Sequence, residues 1–251
     1  MAEALLTVEN VSKRFGGLLA VDEASFSVAT GSITALIGPN GAGKTTLFSI
    51  ISGFLSPEGG RIVYGGADIT GEPPHRLARR GIARTFQIVQ PFAGLTVREN
   101  IAVGAHLSRR SRGEALAAAG AIAESVGLSA QLDAAARTLT VAGRKRLELA
   151  RALAIAPRLL LLDEVLAGLN PSEIRDMIPV IRAIASRGIT VLMTEHVMQA
   201  VMSLAMHVFV LAEGRVIAQG TPQQVTADQR VVEAYLGHGA AKRIATGAAH
   251  A

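Results

Sequence analysis

The run Gly38-Pro39-Asn40-Gly41-Ala42-Gly43-Lys44-Thr45 constrains this chain more than any other feature, because it matches G-x-x-x-x-G-K-[ST] in full. An apolar run, Ile33 to Ile37, precedes it, and Thr45 to Ser52 follows with helical spacing. Strand, glycine loop and helix in that order form a turn whose backbone N–H groups can face inward. The helix then directs its positive end at whatever lies there, so the ligand that fits is a chain of phosphates held from Gly38 to Thr46. Lys44 would bring a full charge to the outer phosphates, and the Thr45 hydroxyl would reach Mg²⁺. A chance glycine-rich turn is the weaker reading, since both flanking elements are present.

A second anchor is Leu159-Leu160-Leu161-Leu162-Asp163-Glu164. Arg158 to Leu162 reads as an apolar strand without alternation, as expected of a parallel strand buried on both faces. Its two acids fall at the C-terminal end, where α/β sheets place ligands. Alone, such acids could equally cap a helix. Paired with the phosphate loop, Asp163 is expected to hold Mg²⁺ through water and Glu164 to polarise an attacking water.

The remaining chain arranges itself around these anchors. Its 251 residues, 49% hydrophobic, suffice for one α/β domain, or for a core with a subdomain attached. Alternation at Leu6 to Val8 and Phe26 to Val28 predicts antiparallel strands near the N-terminus. Arg61 to Tyr64 predicts another strand, and Gly188 to Thr194 a second parallel strand after a helix. Val208 to Gln219 predicts a hairpin turning at Glu213-Gly214. From about 95 to 156, Ala, Arg, Glu and Leu dominate and no strand is evident, so an inserted helical subdomain is expected. The Ala- and Gly-rich tail at 238–251 is expected to be disordered, leaving 1–237 as the folded domain.

Composition removes several alternatives. The chain has no cysteine, which excludes disulfides and zinc–thiolate sites. MAEALLTVEN lacks the pattern of a signal peptide. Val197 to Ala212 is the most apolar stretch, but Gln199, Ser203 and His207 interrupt it. It is also shorter than the roughly 18–20 residues of a spanning helix, so membrane contact is expected to go through a partner. The formal charge of +5 comes from dispersed arginines. Without interleaved aromatics or a recognition motif, a solvated basic face fits better than a nucleic-acid groove.

The ordered set of motifs resembles the ATPase subunits of ABC transporters, from Leu5 to about Gly237. It comprises Phe15, the phosphate loop, Gln87 in Arg84-Thr85-Phe86-Gln87, Leu139 to Leu153, Asp163-Glu164, Gly168-Leu169-Asn170 and His196. The resemblance implies a P-loop NTPase (RecA-like) α/β core with a parallel sheet, an antiparallel β subdomain and the helical insertion. It implies ATP and Mg²⁺ as cofactors. Phe15 would stack on the adenine, and Gln87 would touch Mg²⁺ or the water and sense a membrane subunit. His196 would donate to the γ-phosphate.

One motif departs from the family pattern. Leu139-Thr140-Val141-Ala142-Gly143 stands where Leu-Ser-Gly-Gly-Gln is usual. Thr140 keeps a hydroxyl able to cap the helix and reach the γ-phosphate, with Ala142 and Gly143 beside it. Ala142 replaces a glycine; if that backbone has positive φ, alanine is strained by roughly 1 kcal/mol. Asn170 replaces a frequent aspartate.

Further segments resemble the ATPases of branched-chain amino-acid importers: Ile69-Thr70-Gly71, Pro73-Pro74-His75, Arg146 to Arg151, Gly168 to Pro171 and Val232 to Gly237. That resemblance implies a second ATPase subunit, a heterodimer first and a homodimer as the alternative, with ATP between the loop of one and Thr140–Gly143 of the other. It also implies permease subunits, an indirect link to a periplasmic solute-binding protein, and a place at the cytoplasmic face of a bacterial inner membrane. Cargo would be branched-chain amino acids or related small polar solutes. Two rivals stand beside this. A soluble ABC-type ATPase acting on nucleic acid or the ribosome would need a long coiled-coil insert or two phosphate loops, and this chain has neither. A binding-only regulator is disfavoured by Glu164.

Overall fold

Three strands, β3 (Ile33–Ile37), β7 (Leu159–Asp163) and β8 (Thr190–Thr194), are buried at every residue, and the molecule is built outward from them. The computed structural model describes residues 3–87 and 90–236. The tail expected to be disordered, and the two residues directly after Gln87, lie outside that range.

In chain order, β1 (Ala4–Phe15) and β2 (Leu18–Ala29) form a long hairpin that leads into β3. After the glycine loop come α1 (Lys44–Ile51), β4 (Gly59–Tyr64), β5 (Ala67–Asp68), α2 (Pro74–Arg79) and β6 (Ile82–Arg84). Three α-helices follow: α3 (Val97–Ala105), α4 (Arg112–Ser125) and α5 (Val141–Leu153). Then come β7, α6 (Pro171–Ser186), β8 and α7 (Met198–Leu204). The hairpin of β9 (His207–Ala212) and β10 (Arg215–Gly220), then α8 (Pro222–Ala227) and α9 (Gln229–Leu236), complete the described chain.

The strands form two sheets. One is antiparallel, in the order β2-β1-β4-β5; the other has six strands in the order β10-β9-β3-β8-β7-β6. In the second, β9, β3, β8, β7 and β6 run parallel and only β10 is antiparallel. Side chains alternate across this sheet. Leu36, Leu159, Leu161, Leu192 and Phe209 pack with α1 and the antiparallel sheet. Ala35, Leu160, Leu162, Met193 and Val210 pack with the helices on the opposite face. Both faces are therefore apolar, and alternation disappears from the sequence of these strands.

Sequence expectation and structure agree on the parallel strands, the glycine loop between strand and helix, and the hairpin at Glu213-Gly214. They differ on Ala142. It lies in the first turn of α5 and is not among the residues of positive φ, so the strain anticipated there does not arise. Thr140 caps α5 as expected, its hydroxyl accepting from Gly143 N at 3.1 Å. Asn170 has a local reason: its side chain accepts from Ser172 N and Glu173 N, both at 3.0 Å, and caps α6.

Candidate functional site

The parallel order of β3, β8 and β7 brings their C-terminal ends together, and the loops leaving them share one edge. The glycine loop leaves β3, Glu164 follows β7, and His196 follows β8. A cavity of about 1140 Å³ lies there, lined by Asn40, Gly41, Ala42, Gly43, Lys44, Thr45 and Thr46. Phe15, Gln87, Glu164, His196 and the Glu213-Gly214 turn line it as well. Gly38 and Pro39, at the start of the loop, are not among the residues that line the cavity. Phe15 is half exposed at the rim, with Lys13 Nζ 5.7 Å from its ring centre.

The loop is held open from behind. A Cβ on Gly38 (φ +153) would fall 2.0 Å from the Leu211 carbonyl oxygen, and one on Gly43 (φ +102) 2.3 Å from the Ala20 oxygen. Only glycine fits at either position. Gly214 N donates to Ala42 O at 3.0 Å, while Asp22 N donates to Gly214 O at 2.9 Å, so the β9–β10 turn braces the loop. Lys44 is buried, and its ammonium donates to the Gly38 and Pro39 carbonyls at 2.7 and 2.9 Å. Burial lowers its pKa, opposed by the charges of Glu164 and Asp163.

Glu164 is fixed from two sides. Gln87 Nε2 donates to Oε2 at 2.7 Å, and His196 Nε2 lies 2.6 Å from Oε1. Three residues far apart in sequence thus meet at one carboxylate, opposite the phosphate loop. Glu164 has φ +49, a left-handed backbone that non-glycine residues rarely adopt. Its amide donates to Thr194 O at 3.0 Å, which ties the bend to β8.

Asp163 sits deeper, in an adjoining groove of about 660 Å³ that Thr45 and Gln87 also line. Arg84 Nη2 donates to its Oδ2 at 2.7 Å, and the Thr194 hydroxyl to its Oδ1 at 2.9 Å. The hydroxyl of Thr45, the carboxylate of Asp163 and the amide of Gln87 are hard oxygen donors of the kind Mg²⁺ takes. Among the described residues no three His, Cys, Asp or Glu side chains converge on a metal site. An ion here would accordingly rely on phosphate oxygens for its remaining ligands.

Thr140, Ala142 and Gly143 do not line the nucleotide-sized cavity. They stand at the outward N-terminal end of α5.

The structure adds residues that sequence reasoning did not single out. Arg84 is one. Three more come from α5, where Lys145, Glu148 and Arg151, three apart, share a face. Lys145 Nζ donates to Gln87 O at 3.2 Å, Glu148 Oε1 accepts from Phe86 N at 3.3 Å, and Arg151 Nη1 donates to Gln90 O at 3.2 Å. Burial pushes the Glu148 carboxyl upward, against the pull of Arg151. The signal was present in RKRLELAR: a helix whose charges recur every third residue has either a solvated stripe or a buried grip, and periodicity cannot distinguish them. Glu195 is the fifth. It is 1% exposed and accepts from Leu166 N at 3.0 Å, and burial raises its pKa to about 7.

Comparison with known proteins points to one family. A family model described as "ABC transporter" matches residues 21–167. Another, "Branched-chain amino acid ATP-binding cassette transporter", matches 215–241. The chain is 40% identical over 253 residues to BraF of Pseudomonas aeruginosa, a high-affinity branched-chain amino acid transport ATP-binding protein, covering 94% of this chain and 99% of the relative. LivG of Escherichia coli K12, which carries the same description, is 38% identical with the same coverage. A solved ATP-binding cassette of an ABC transporter in its ADP conformation has a TM-score of 0.86 at 34% identity, over 94% of this chain and 100% of that one.

Proposed function

The chain belongs to the ABC transporter family as an ATP-binding, ATP-hydrolysing subunit, and from that premise we propose that it powers uptake of branched-chain amino acids or related small polar solutes. The observation that carries the hydrolytic role is the Glu164 carboxylate held between Gln87 and His196 across a cavity from the phosphate loop. The cargo rests on similarity to BraF and LivG, whose descriptions name branched-chain amino acid transport. The same similarity favours transport over action on nucleic acid or the ribosome.

In this reading the adenine stacks on Phe15, and the phosphates lie over the N–H groups of Gly41 to Thr46. Lys44 leaves its loop carbonyls to neutralise the outer phosphates. Mg²⁺, when bound, neutralises phosphate charge, and Thr45, Asp163 and Gln87 would hold it. Glu164 takes the proton of the attacking water as its oxygen bonds the γ-phosphorus and the bond to the leaving oxygen breaks. Gln87 holds that carboxylate in line, and His196 leaves Glu164 to donate to the γ-phosphate as charge builds.

Thr140, Ala142 and Gly143 face outward, so they serve a nucleotide held on a second ATPase subunit, in a heterodimer first and a homodimer second. The groove beside Asp163 is lined by Phe54, Phe86 and Val103, each at least 42% exposed, and suits a helix of a permease subunit. Residues 1–237 act as one ATPase domain, with 95–156 as the helical part that moves against the core. No helix among the described residues is long and apolar enough to cross a membrane; on the similarity to transport ATP-binding proteins, the chain sits on the permease at the cytoplasmic face. A periplasmic binding protein would deliver the cargo.

Uptake of labelled leucine in cells lacking the gene tests the reading. Wild type is expected to restore uptake lost on deletion, and Glu164→Gln is expected not to, while forming an ATP-trapped dimer on sizing. Unchanged uptake after deletion would overturn the cargo; restoration by Glu164→Gln would overturn the catalytic role.

A further inference from the structure

Lys145 lies within the Leu139 to Leu153 stretch but has been given no role of its own, yet its buried ammonium reaches the catalytic carboxylate's own backbone. It sits in the second turn of α5, 5% exposed. Its Nζ donates to Glu164 O and to Gln87 O, each at 3.2 Å. These are the backbones of the two residues whose side chains meet at 2.7 Å in the site. One cation therefore contacts both without lining the phosphate-loop cavity.

The Glu164 backbone needs such a hold. With φ +49 it lies where a non-glycine residue persists only if its surroundings over-determine it. Three contacts do so: Glu164 N donates to Thr194 O, Glu164 O accepts from Lys145, and the same oxygen accepts from Ala167 N at 3.1 Å within the turn. The first comes from the sheet core. The second comes from the helix that begins at Thr140. Glu195, buried beneath, is foremost among the acids that favour the charged lysine against its burial, and its carboxylate also accepts from Leu166 N, two residues past Glu164.

We propose that Lys145 is a positioning residue that makes the aim of Glu164 depend on the seating of α5. When the helix beginning at Thr140 is seated, Lys145 holds the left-handed bend and keeps the carboxylate pointed into the cavity. When α5 shifts outward, the carbonyls of Glu164 and Gln87 lose their common donor, and the carboxylate loses its alignment without any change at the phosphate loop. Hydrolysis is thereby tied to the position of the helix that offers Thr140 to a second subunit. This rests on the reading of Glu164 as the base.

The test is Lys145→Met, compared with Glu164→Gln and with the double variant, measuring ATP turnover of the purified full chain and binding of a fluorescent ATP analogue. Misalignment of a reacting group predicts that Lys145→Met lowers kcat about 10- to 100-fold. Analogue affinity is expected to stay within about twofold, because the phosphate loop is untouched. Adding Lys145→Met to Glu164→Gln is expected to lower turnover no further, since both act through one carboxylate. Should Lys145→Met melt early because Glu195 loses its counter-charge, Lys145→Met with Glu195→Gln removes both charges and gives the same kcat readout. Wild-type turnover in Lys145→Met beside an inactive Glu164→Gln would overturn the positioning role and leave Glu164 as base. Loss of analogue affinity in step with turnover, or additive losses in the double variant, would also overturn it. Wild-type turnover in Glu164→Gln would overturn the catalytic reading, and this proposal with it.

Discussion

Replacing Arg84 by methionine isolates the buried ion pair beneath the site. Arg84 and Asp163 side chains are 8% and 4% exposed, and their atoms lie 2.7 Å apart. The guanidinium also donates to Ser52 Oγ at 2.8 Å and Ser49 Oγ at 3.2 Å, and lies 5.4 Å from the centre of the Phe86 ring. Methionine keeps much of the stem's packing but leaves a largely desolvated Asp163 carboxylate without its counter-charge. Removing one member of a buried pair costs about 3–5 kcal/mol. The lower end applies here, because Thr194 still donates to Asp163. For a chain of this size, about 3 kcal/mol lowers Tm by roughly 6–12 °C. Urea unfolding of Arg84→Met, Asp163→Asn and the double variant measures the coupling. The double variant is expected to be clearly more stable than the sum of the single losses implies, since neither charge is then stranded. A loss below about 1 kcal/mol in Arg84→Met, as for an exposed pair, would refute the reasoning, and so would strict additivity.

Two further outcomes follow from particular residues. Ala142→Gly is expected to leave turnover and nucleotide affinity unchanged and to lower stability by at most about 1 kcal/mol, because the position is helical; a clear gain in turnover would refute this. Glu195 holds its proton up to about pH 7 when folded, against an ordinary 4.5. The folded state therefore binds more protons between those values, and stability falls as pH rises through that window, by about 3 kcal/mol in all. Urea unfolding at pH 5 and pH 8 should show that slope in wild type and lose it in Glu195→Gln; equal slopes in both proteins would count against it.

The parts of the fold legible in the sequence were those where one local pattern has one physical meaning. Ile33 to Ile37 before a glycine loop, and four leucines before two acids, admit few alternatives, and both lie where expected. The N-terminal hairpin was legible only in pieces. Alternation survives at Leu6 to Val8 and Phe26 to Val28, but register shifts between Val8 and Lys13 and positive φ at Asn10 and Glu23 break it. Each bulge moves the following side chains to the opposite face. The edge strand β6 is three residues long, too short to show a period, and it carries Arg84 to Asp163. Among site residues, motifs named those that would touch the nucleotide. They gave no role to Arg84, Lys145, Glu148 or Glu195, whose importance depends on which groups they meet after the sheet has formed.

The brace behind the phosphate loop bears on how this chain acquires its nucleotide. A loop that folds round its ligand loses conformational freedom at the moment of binding, and affinity falls accordingly. Here Leu211, Ala20 and the Gly214 turn hold the loop's shape through the core itself, so that ordering is complete once the domain has folded. Affinity for the phosphates is consequently an inherited property of the β9–β10 hairpin. A substitution at Leu211, a fully buried residue that faces no ligand, would cost core stability and, through its side-chain approach to Gly43, would also reach the phosphate loop.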